Sequence, residues 1–266
     1  MATRRSALIA STRPLAALVV GTLSAAAAIA GAGRLTLRGA AAGLAMTALA
    51  MFGFVVNDLF DRRKDREAGV ERPIASGAVS PGAATCAAAA LLVLALILAA
   101  AVGTGVAVLA FTAAALVAYS PLALHFPLTK DLYVAALCCA PLWYGDVTAA
   151  APRSWLSYAT LMCFVFGREV LMDSDELQGD RRAGIHTIAA TLGRRRTTRM
   201  GAALMLVAAG ILVAIVRGPT LTAAAAATLL LLACVLTWPR IDDGVRIRLT
   251  LVPMYVGSVA LACGGV

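Results

Sequence analysis

Two short segments of the sequence place carboxylates beside basic side chains. The first reads NDLFDRRKD and contains Asn57, Asp58, Asp61 and Asp65, directly after a long apolar stretch. On a continuous helix, Asn57, Asp61 and Asp65 lie four residues apart and therefore share one face. Carboxylates packed this closely repel one another unless a multivalent cation lies among them. The spacing predicts divalent-cation chemistry.

The second segment reads REVLMDSDELQGD, and its Asp173, Glu176 and Asp180 are three and four residues apart. These side chains also share a helical face. Magnesium keeps several of its waters and binds through one or two carboxylates together with substrate phosphate oxygens. Arginine and lysine side chains bind phosphate directly. The two segments together predict two or three Mg²⁺ ions that hold a diphosphate.

The rest of the chain predicts a membrane protein. Of the 266 residues, 61% are hydrophobic and 14% are charged, and the mean hydropathy is +0.87. These values lie far outside the range of soluble domains. A helix needs about 20 apolar residues to cross the hydrocarbon layer. We therefore predict an all-α integral membrane protein in which residues 1–266 form one domain of about nine transmembrane helices. The predicted spans are 14–33, 39–57, two within 73–129 that divide at Gly103 and Gly105, 131–150, 154–172, 200–216, 218–239 and 249–266.

The basic residues predict the orientation of these helices. With the N-terminus in the cytosol, 19 of the 23 basic residues fall on the cytosolic side, as the positive-inside rule requires. The net charge of +9 then reflects orientation and contact with anionic lipid rather than nucleic-acid binding. Both acidic segments emerge on this side, where they can face each other across a cavity. An aromatic belt is predicted on the outer side, at Trp143, Tyr144, Trp155 and Tyr158.

The two segments also resemble a known family. NDxxDxxxD followed by ERPIASGAVS, and REVLMDSDELQGDRRAGIHTIAATLG later in the chain, resemble the two signature segments of the UbiA superfamily of intramembrane prenyltransferases. Their order and spacing, with the nine predicted helices, extend the resemblance over nearly the whole chain. It implies a helical bundle around a central cavity, with a polar cap at the cytosolic mouth and an opening through which an isoprenoid tail reaches the lipid.

The resemblance implies a role for each polar residue of the two segments. The catalytic residues would be Asp61, Asp65, Asp173 and Asp180. The diphosphate would be bound by Asn57, Arg72, Lys130 and Arg168. The magnesium ligands would be drawn from Asn57, Asp58, Asp61, Asp65, Asp173, Glu176 and Asp180.

Two positions depart from the family pattern. Glu176 stands where the family usually has aspartate, and its longer side chain changes the reach of the carboxylate. The stretch YSPLALHFPLTKD lacks the lysine or arginine that follows Tyr-x-Pro-Leu in the family. Either Lys130 or His125 could supply the missing charge, and the sequence leaves this choice open.

The implied activity is magnesium-dependent transfer of an isoprenyl group from an allylic diphosphate to an electron-rich acceptor such as an aromatic ring. The expected partners are an isoprenyl diphosphate, a small-molecule acceptor and membrane lipid, with no nucleic acid. Two alternatives stay open: a terpene cyclase, which needs no external acceptor, and a transporter with an acidic cation site. Transport favours acids near the bilayer midplane, whereas these acids gather at one membrane face beside basic residues.

Overall fold

A computed structural model describes residues 4–67, 69–103, 105–125, 129–182, 187–218, 220–237 and 243–264. Within these ranges, the side chains of residues 4, 123–125, 175–176, 178–182, 234–237 and 243–248 are not described. The secondary structure of this part of the chain is helical. The helices are α1 (Arg4–Ser11), α2 (Pro14–Ala32), α3 (Leu37–Phe60), α4 (Arg62–Glu67), α5 (Pro81–Val102), α6 (Val106–His125), α7 (Lys130–Leu137), α8 (Ala140–Ala149), α9 (Trp155–Arg182), α10 (Ile188–Leu192), α11 (Arg194–Ile215), α12 (Thr220–Thr237) and α13 (Asp243–Gly264).

The long helices coincide with the predicted spans. By length and composition, five segments of the described chain can each cross a membrane: α2, α3, α5, α11, and α7 with α8 taken together over Lys130–Ala149. Three shorter apolar stretches lie in α6, α12 and α13. With the 28-residue α9, these elements match the nine predicted spans. The prediction of an all-α membrane protein is confirmed.

The helices form two compact units, which are described separately. The first comprises Met1–Pro121 and Ala140–Pro152. Helix α3 is its centre and packs against α2, α5 and α8. Glycines allow α2 and α3 to approach closely, because a Cβ at Gly43 would lie 2.9 Å from the Cβ of Ala25. This packing buries α3 almost to its C-terminal end and so fixes the first acidic segment.

One predicted feature of the first unit is wrong. Tyr144 was expected in an aromatic belt, but its side chain is fully buried in the core. Its ring lies against Gly105, where the positive φ of 73° and the missing side chain leave room for it. The neighbouring Trp143 does point outward, and it contacts Phe111 edge-to-face. Helix α8 therefore presents one aromatic residue outward and packs the next inward.

The second unit comprises Leu122–Cys139 and Arg153–Val266. Helix α9 is its centre and packs against α7, α10, α11 and α13. Gly167 and Gly201 face each other where α9 crosses α11, and a Cβ at Gly201 would lie 2.6 Å from the carbonyl oxygen of Gly167. This close crossing holds the second acidic segment, at the end of α9, beside the first turns of α11.

Candidate active site

The first acidic segment is almost, but not entirely, one continuous helix. Helix α3 ends at Phe60 and α4 begins at Arg62, with Asp61 in the turn between them. The backbone hydrogen bonds between residues i and i−4, which are typical of an α-helix, nevertheless continue. The Asp61 N–H donates to Asn57 O (2.9 Å), and the Asp65 N–H donates to Asp61 O (2.8 Å). Asn57 Nδ2 also donates to Asp61 Oδ2 at 3.1 Å. The predicted alignment of Asn57 with Asp61 is therefore present.

Asp58 makes the strongest contacts in this segment. Its side chain is 2% exposed, and its Oδ1 atom accepts hydrogen bonds from Arg13 Nη2 at 2.6 Å and Arg72 Nη1 at 3.0 Å. A carboxylate removed from water needs such cationic partners. Arg13 was not among the predicted site residues, because it lies 45 residues before Asp58.

Asp65 is buried and shares one of these arginines. Arg72 Nη1 lies 3.1 Å from Asp65 Oδ2, although the two atoms lack the geometry of a hydrogen bond. The loop that carries Arg72 is tied to Asp65, since the Val70 N–H donates to Asp65 O at 2.9 Å. Buried Ile74 anchors the same loop in the core. Arg72 is therefore placed between two carboxylates by well-packed structure.

Asp61 is only partly buried, and its pKa is raised above the ordinary aspartate value. Burial is the largest cause, because it disfavours the charged form. The Asp65 carboxylate raises the pKa further, while Lys64, Arg72 and the hydrogen bond from Asn57 lower it. The environment thus leaves the negative charge of Asp61 incompletely compensated, which favours the binding of an added cation.

The second acidic segment is joined to a lysine from another helix. Lys130, the first residue of α7, places its Nζ 2.6 Å from Asp173 Oδ1. Its Nζ is also 4.0 Å from Asp131 Oδ1. Both carboxylates are 2% exposed. Sequence reasoning missed Asp131, although an acid at the start of an apolar span is a signal of function or pairing.

Other predicted residues lie near this pair. Arg168 Nη1 is 2.9 Å from Glu169 Oε1, one turn before Asp173. Ser174 joins α9 to α11 through a 3.2 Å hydrogen bond between its hydroxyl and that of Thr198. Glu176 and Asp180 lie in α9, but their side chains are outside the described part of the structure, as is the side chain of His125.

The residues present fit magnesium in donor type. The described acidic segments offer hard carboxylate and amide oxygens, as Mg²⁺ prefers. Among the described side chains, no three acids, histidines or cysteines are grouped closely enough to hold a metal alone. Magnesium does not require such a cage, because waters and substrate phosphates complete its octahedral shell. Isolated carboxylates beside arginine and lysine suit a metal that arrives with a diphosphate.

Solved structures show the same fold. The apo structure of a UbiA homolog from Aeropyrum pernix K1 superimposes with a TM-score of 0.81 at 20% identity, over 92% of this chain and 97% of that one. A UbiA homolog from Archaeoglobus fulgidus bound to GPP and Mg²⁺ has a TM-score of 0.67 at 16% identity, over 97% and 99% of the two chains.

Curated relatives share more sequence. Digeranylgeranylglyceryl phosphate synthase of Halobacterium salinarum is 33% identical over 207 residues, which cover 76% of this chain and 75% of that protein. The enzyme of the same name from Ignicoccus hospitalis is 31% identical, over 91% of this chain and 86% of its own length. The match to the Natronomonas pharaonis enzyme is shorter, and its 159 residues span 57% of that relative.

The match to a family is long and includes both acidic segments. Residues 18–258 match the UbiA prenyltransferase family. This range contains the residues from Asn57 to Arg72 and from Lys130 to Asp180. The predicted resemblance is confirmed, and so is the predicted enzyme class, a prenyltransferase. The chain belongs to the UbiA prenyltransferase family.

Proposed function

We propose that this protein transfers an isoprenyl group from an allylic diphosphate to a hydroxyl group of a prenylated glyceryl phosphate. The observation that carries the choice of acceptor is the 31–33% identity to digeranylgeranylglyceryl phosphate synthases over most of the chain. Their name describes a glyceryl phosphate with two geranylgeranyl groups. An acceptor of this kind is a lipid, in keeping with a membrane enzyme. It replaces the aromatic ring as our preferred acceptor.

The two acidic segments would bind the diphosphate end of the donor. Asn57, Asp61 and Asp65 of the first segment would hold magnesium, and so would Asp173 of the second segment, with Glu176 and Asp180 following from the family pattern. Magnesium, when bound, neutralises the negative charge that develops on the diphosphate oxygens as the leaving group departs. The pairing of buried acids with Arg72 and Lys130 supports this arrangement.

The basic residues of the chain would contact the diphosphate directly. The guanidinium of Arg72 and the ammonium of Lys130 already lie beside candidate ligands, at 3.1 Å from Asp65 and 2.6 Å from Asp173. Arg168 would add a third cation. Donors fixed before the reaction stabilise developing charge without reorganisation. Lys130 would thereby supply the positive charge that is missing from YSPLALH.

The reaction breaks one bond and forms another. The C1–O bond of the allylic donor breaks, and its electron pair leaves with the diphosphate. The acceptor hydroxyl oxygen forms the new C–O bond to C1 and loses its proton. Water must be kept from the allylic cation, and the alanine- and leucine-rich helices would provide an apolar environment for the tail. The positive-inside pattern would place this chemistry at the cytosolic membrane face.

A product assay tests the proposal. Purified protein is incubated with geranylgeranyl diphosphate and Mg²⁺ in three parallel reactions. The first contains geranylgeranylglyceryl phosphate, the second contains an aromatic acceptor, and the third contains no acceptor. We expect an ether product only in the reaction that contains the glyceryl phosphate. An adduct with the aromatic acceptor only would overturn the choice of acceptor, and a cyclic product without acceptor would identify a terpene cyclase. Diphosphate release should be lost in Asp61→Ala and Asp180→Ala and kept in Glu67→Gln, whose side chain is exposed.

A further inference from the structure

Asp58 differs from the other acids of its segment in how completely it is paired. A single oxygen atom, Oδ1, accepts from two guanidinium groups, Arg13 at 2.6 Å and Arg72 at 3.0 Å. The carboxylate is 2% exposed. A metal ion could reach this oxygen only by displacing two arginines from a buried site. Asp61, by contrast, takes its side-chain hydrogen bond from a neutral amide, Asn57.

Arg13 is itself held in place by local structure. It lies between α1 and α2 in the left-handed backbone region, with φ 46° and ψ 59°, which is unusual for a residue with a side chain. Its guanidinium lies 5.1 Å from the ring centroid of Phe54, one turn before Asp58. Such a backbone conformation persists where the surrounding contacts favour it. The ion pair with Asp58 and the aromatic contact provide them.

Arg72 connects Asp58 to Asp65. The same Nη1 atom lies 3.0 Å from Asp58 Oδ1 and 3.1 Å from Asp65 Oδ2. The arginine is therefore shared between the two acids. If Asp58 lost its charge, Arg72 would pair with Asp65 alone and compete with any metal ion for that carboxylate.

We propose that Asp58 is a positioning residue and not a metal ligand: it binds Arg13 and Arg72, and by holding Arg72 it leaves Asp65 able to take a divalent cation. The inference rests on the proposed function in one respect, the role of Asp65 as a metal ligand. It assigns to Arg13, outside both acidic segments, a part in building the site.

Measurements of metal affinity distinguish a positioning role of Asp58 from direct binding of the metal. The full-length protein in detergent is titrated with Mn²⁺ alone, and free Mn²⁺ is followed by electron paramagnetic resonance. In Asp58→Asn we expect binding to weaken about tenfold, as is typical when a residue that supports a metal ligand is removed. In Asp58→Asn/Arg72→Gln we expect affinity to return to near that of the unaltered protein, because Asp65 is released. If Asp58 were itself a metal ligand, the double variant would bind Mn²⁺ as weakly as the single variant does.

A triple variant keeps the test decisive if Asp58→Asn does not fold. Arg13→Met/Asp58→Asn/Arg72→Gln removes the Asp58 carboxylate together with both of its cations, so neither arginine is left facing a neutral amide, and Asp65 is the one acid of this cluster whose arginine is lost. Mn²⁺ binding close to that of the unaltered protein would support the proposal. Weak binding by a folded triple variant would overturn it, as would an unchanged affinity in Asp58→Asn alone.

Asp61→Asn provides the matched control, because Asp61 is a proposed ligand that neither arginine contacts. Its loss of Mn²⁺ affinity should persist when Arg72→Gln is added. None of these titrations requires donor or acceptor. If the product assay fails with every acceptor while the affinities follow this order, the proposed function fails and the role of Asp58 stands.

Discussion

Lys130 Nζ lies 2.6 Å from Asp173 Oδ1, so the start of α7 is joined to the acidic end of α9 across 43 residues of sequence. The Nζ atom is also 4.0 Å from Asp131. Because the Asp173 carboxylate is 2% exposed, its ion pair with Lys130 offsets part of the cost of burying that charge within the second unit.

Lys130→Met should therefore destabilise the metal-free protein. Removing one partner of a buried pair costs roughly 3–5 kcal/mol. Lys130 is 21% exposed, and solvent screening reduces the expected loss to about 2 kcal/mol. Thermal unfolding in detergent without metal measures the change. Arg195→Met, at an exposed position of α11, is the control, and equal melting temperatures for the two variants would contradict the prediction.

Asp61 should make stability depend on pH. Its pKa in the folded protein is raised, chiefly by burial, above the unfolded value of about 3.9. The folded state therefore holds the proton more tightly, and this contribution to stability is fully present below pH 3.9 and is lost as the pH rises through the raised pKa. Asp61→Asn, which does not titrate, should become more stable relative to the unaltered protein as the pH is raised from 4 towards 7.

Melting temperatures of the metal-free unaltered protein and Asp61→Asn over this pH range test the direction of the pH dependence. Glu67→Gln serves as the comparison, because Glu67 is exposed and pairs with Arg63 at the surface. A difference between the unaltered protein and Asp61→Asn that stays constant with pH would show that Asp61 titrates as it does in the unfolded chain.

Gly201→Ala should weaken the second unit. The added methyl group would meet Gly167 O at 2.6 Å and Leu171 Cγ at 2.7 Å, so α9 and α11 would have to separate. Overpacking of this kind costs typically 1–3 kcal/mol. Gly210→Ala in the same helix is a matched control, because no atom of the described residues lies within 4 Å of its added Cβ. A lower melting temperature is expected for Gly201→Ala alone, and equal values would contradict the close crossing.

The first unit should be at least as stable in Tyr144→Phe as in the unaltered protein. The Tyr144 hydroxyl is buried and has no hydrogen-bond partner among the described residues, which carries a desolvation cost of about 1–3 kcal/mol. Phenylalanine keeps the ring that packs against Gly105. Thermal unfolding is the measurement, and a clear loss of stability would show that the hydroxyl has a partner. Gly105→Ala should be strongly destabilising, and more so than Gly103→Ala, which has a similar φ but whose added Cβ would meet no atom of the described residues within 4 Å.

The sequence predicted the spans and the two acidic segments because both are local patterns. Apolar length determines a membrane helix, and four-residue spacing aligned Asn57 with Asp61. It did not predict the ion pair between Arg13 and Asp58, because Arg13 reaches Asp58 only through the packing of α1 and α2 on α3. Tyr144 was misplaced for a similar reason. Its inward direction depends on a gap left by Gly105, 39 positions earlier in the chain.

The location of Arg13 also has a practical consequence for protein engineering. It precedes Pro14, where the first membrane-spanning helix begins, so trimming the chain to that proline would keep the predicted hydrophobic spans and still remove one of the two arginine partners of buried Asp58. Such a shortened protein could insert into the bilayer normally and yet be impaired at its cation site. Affinity tags and fusions at the amino terminus are therefore best joined before α1 and not at the start of α2.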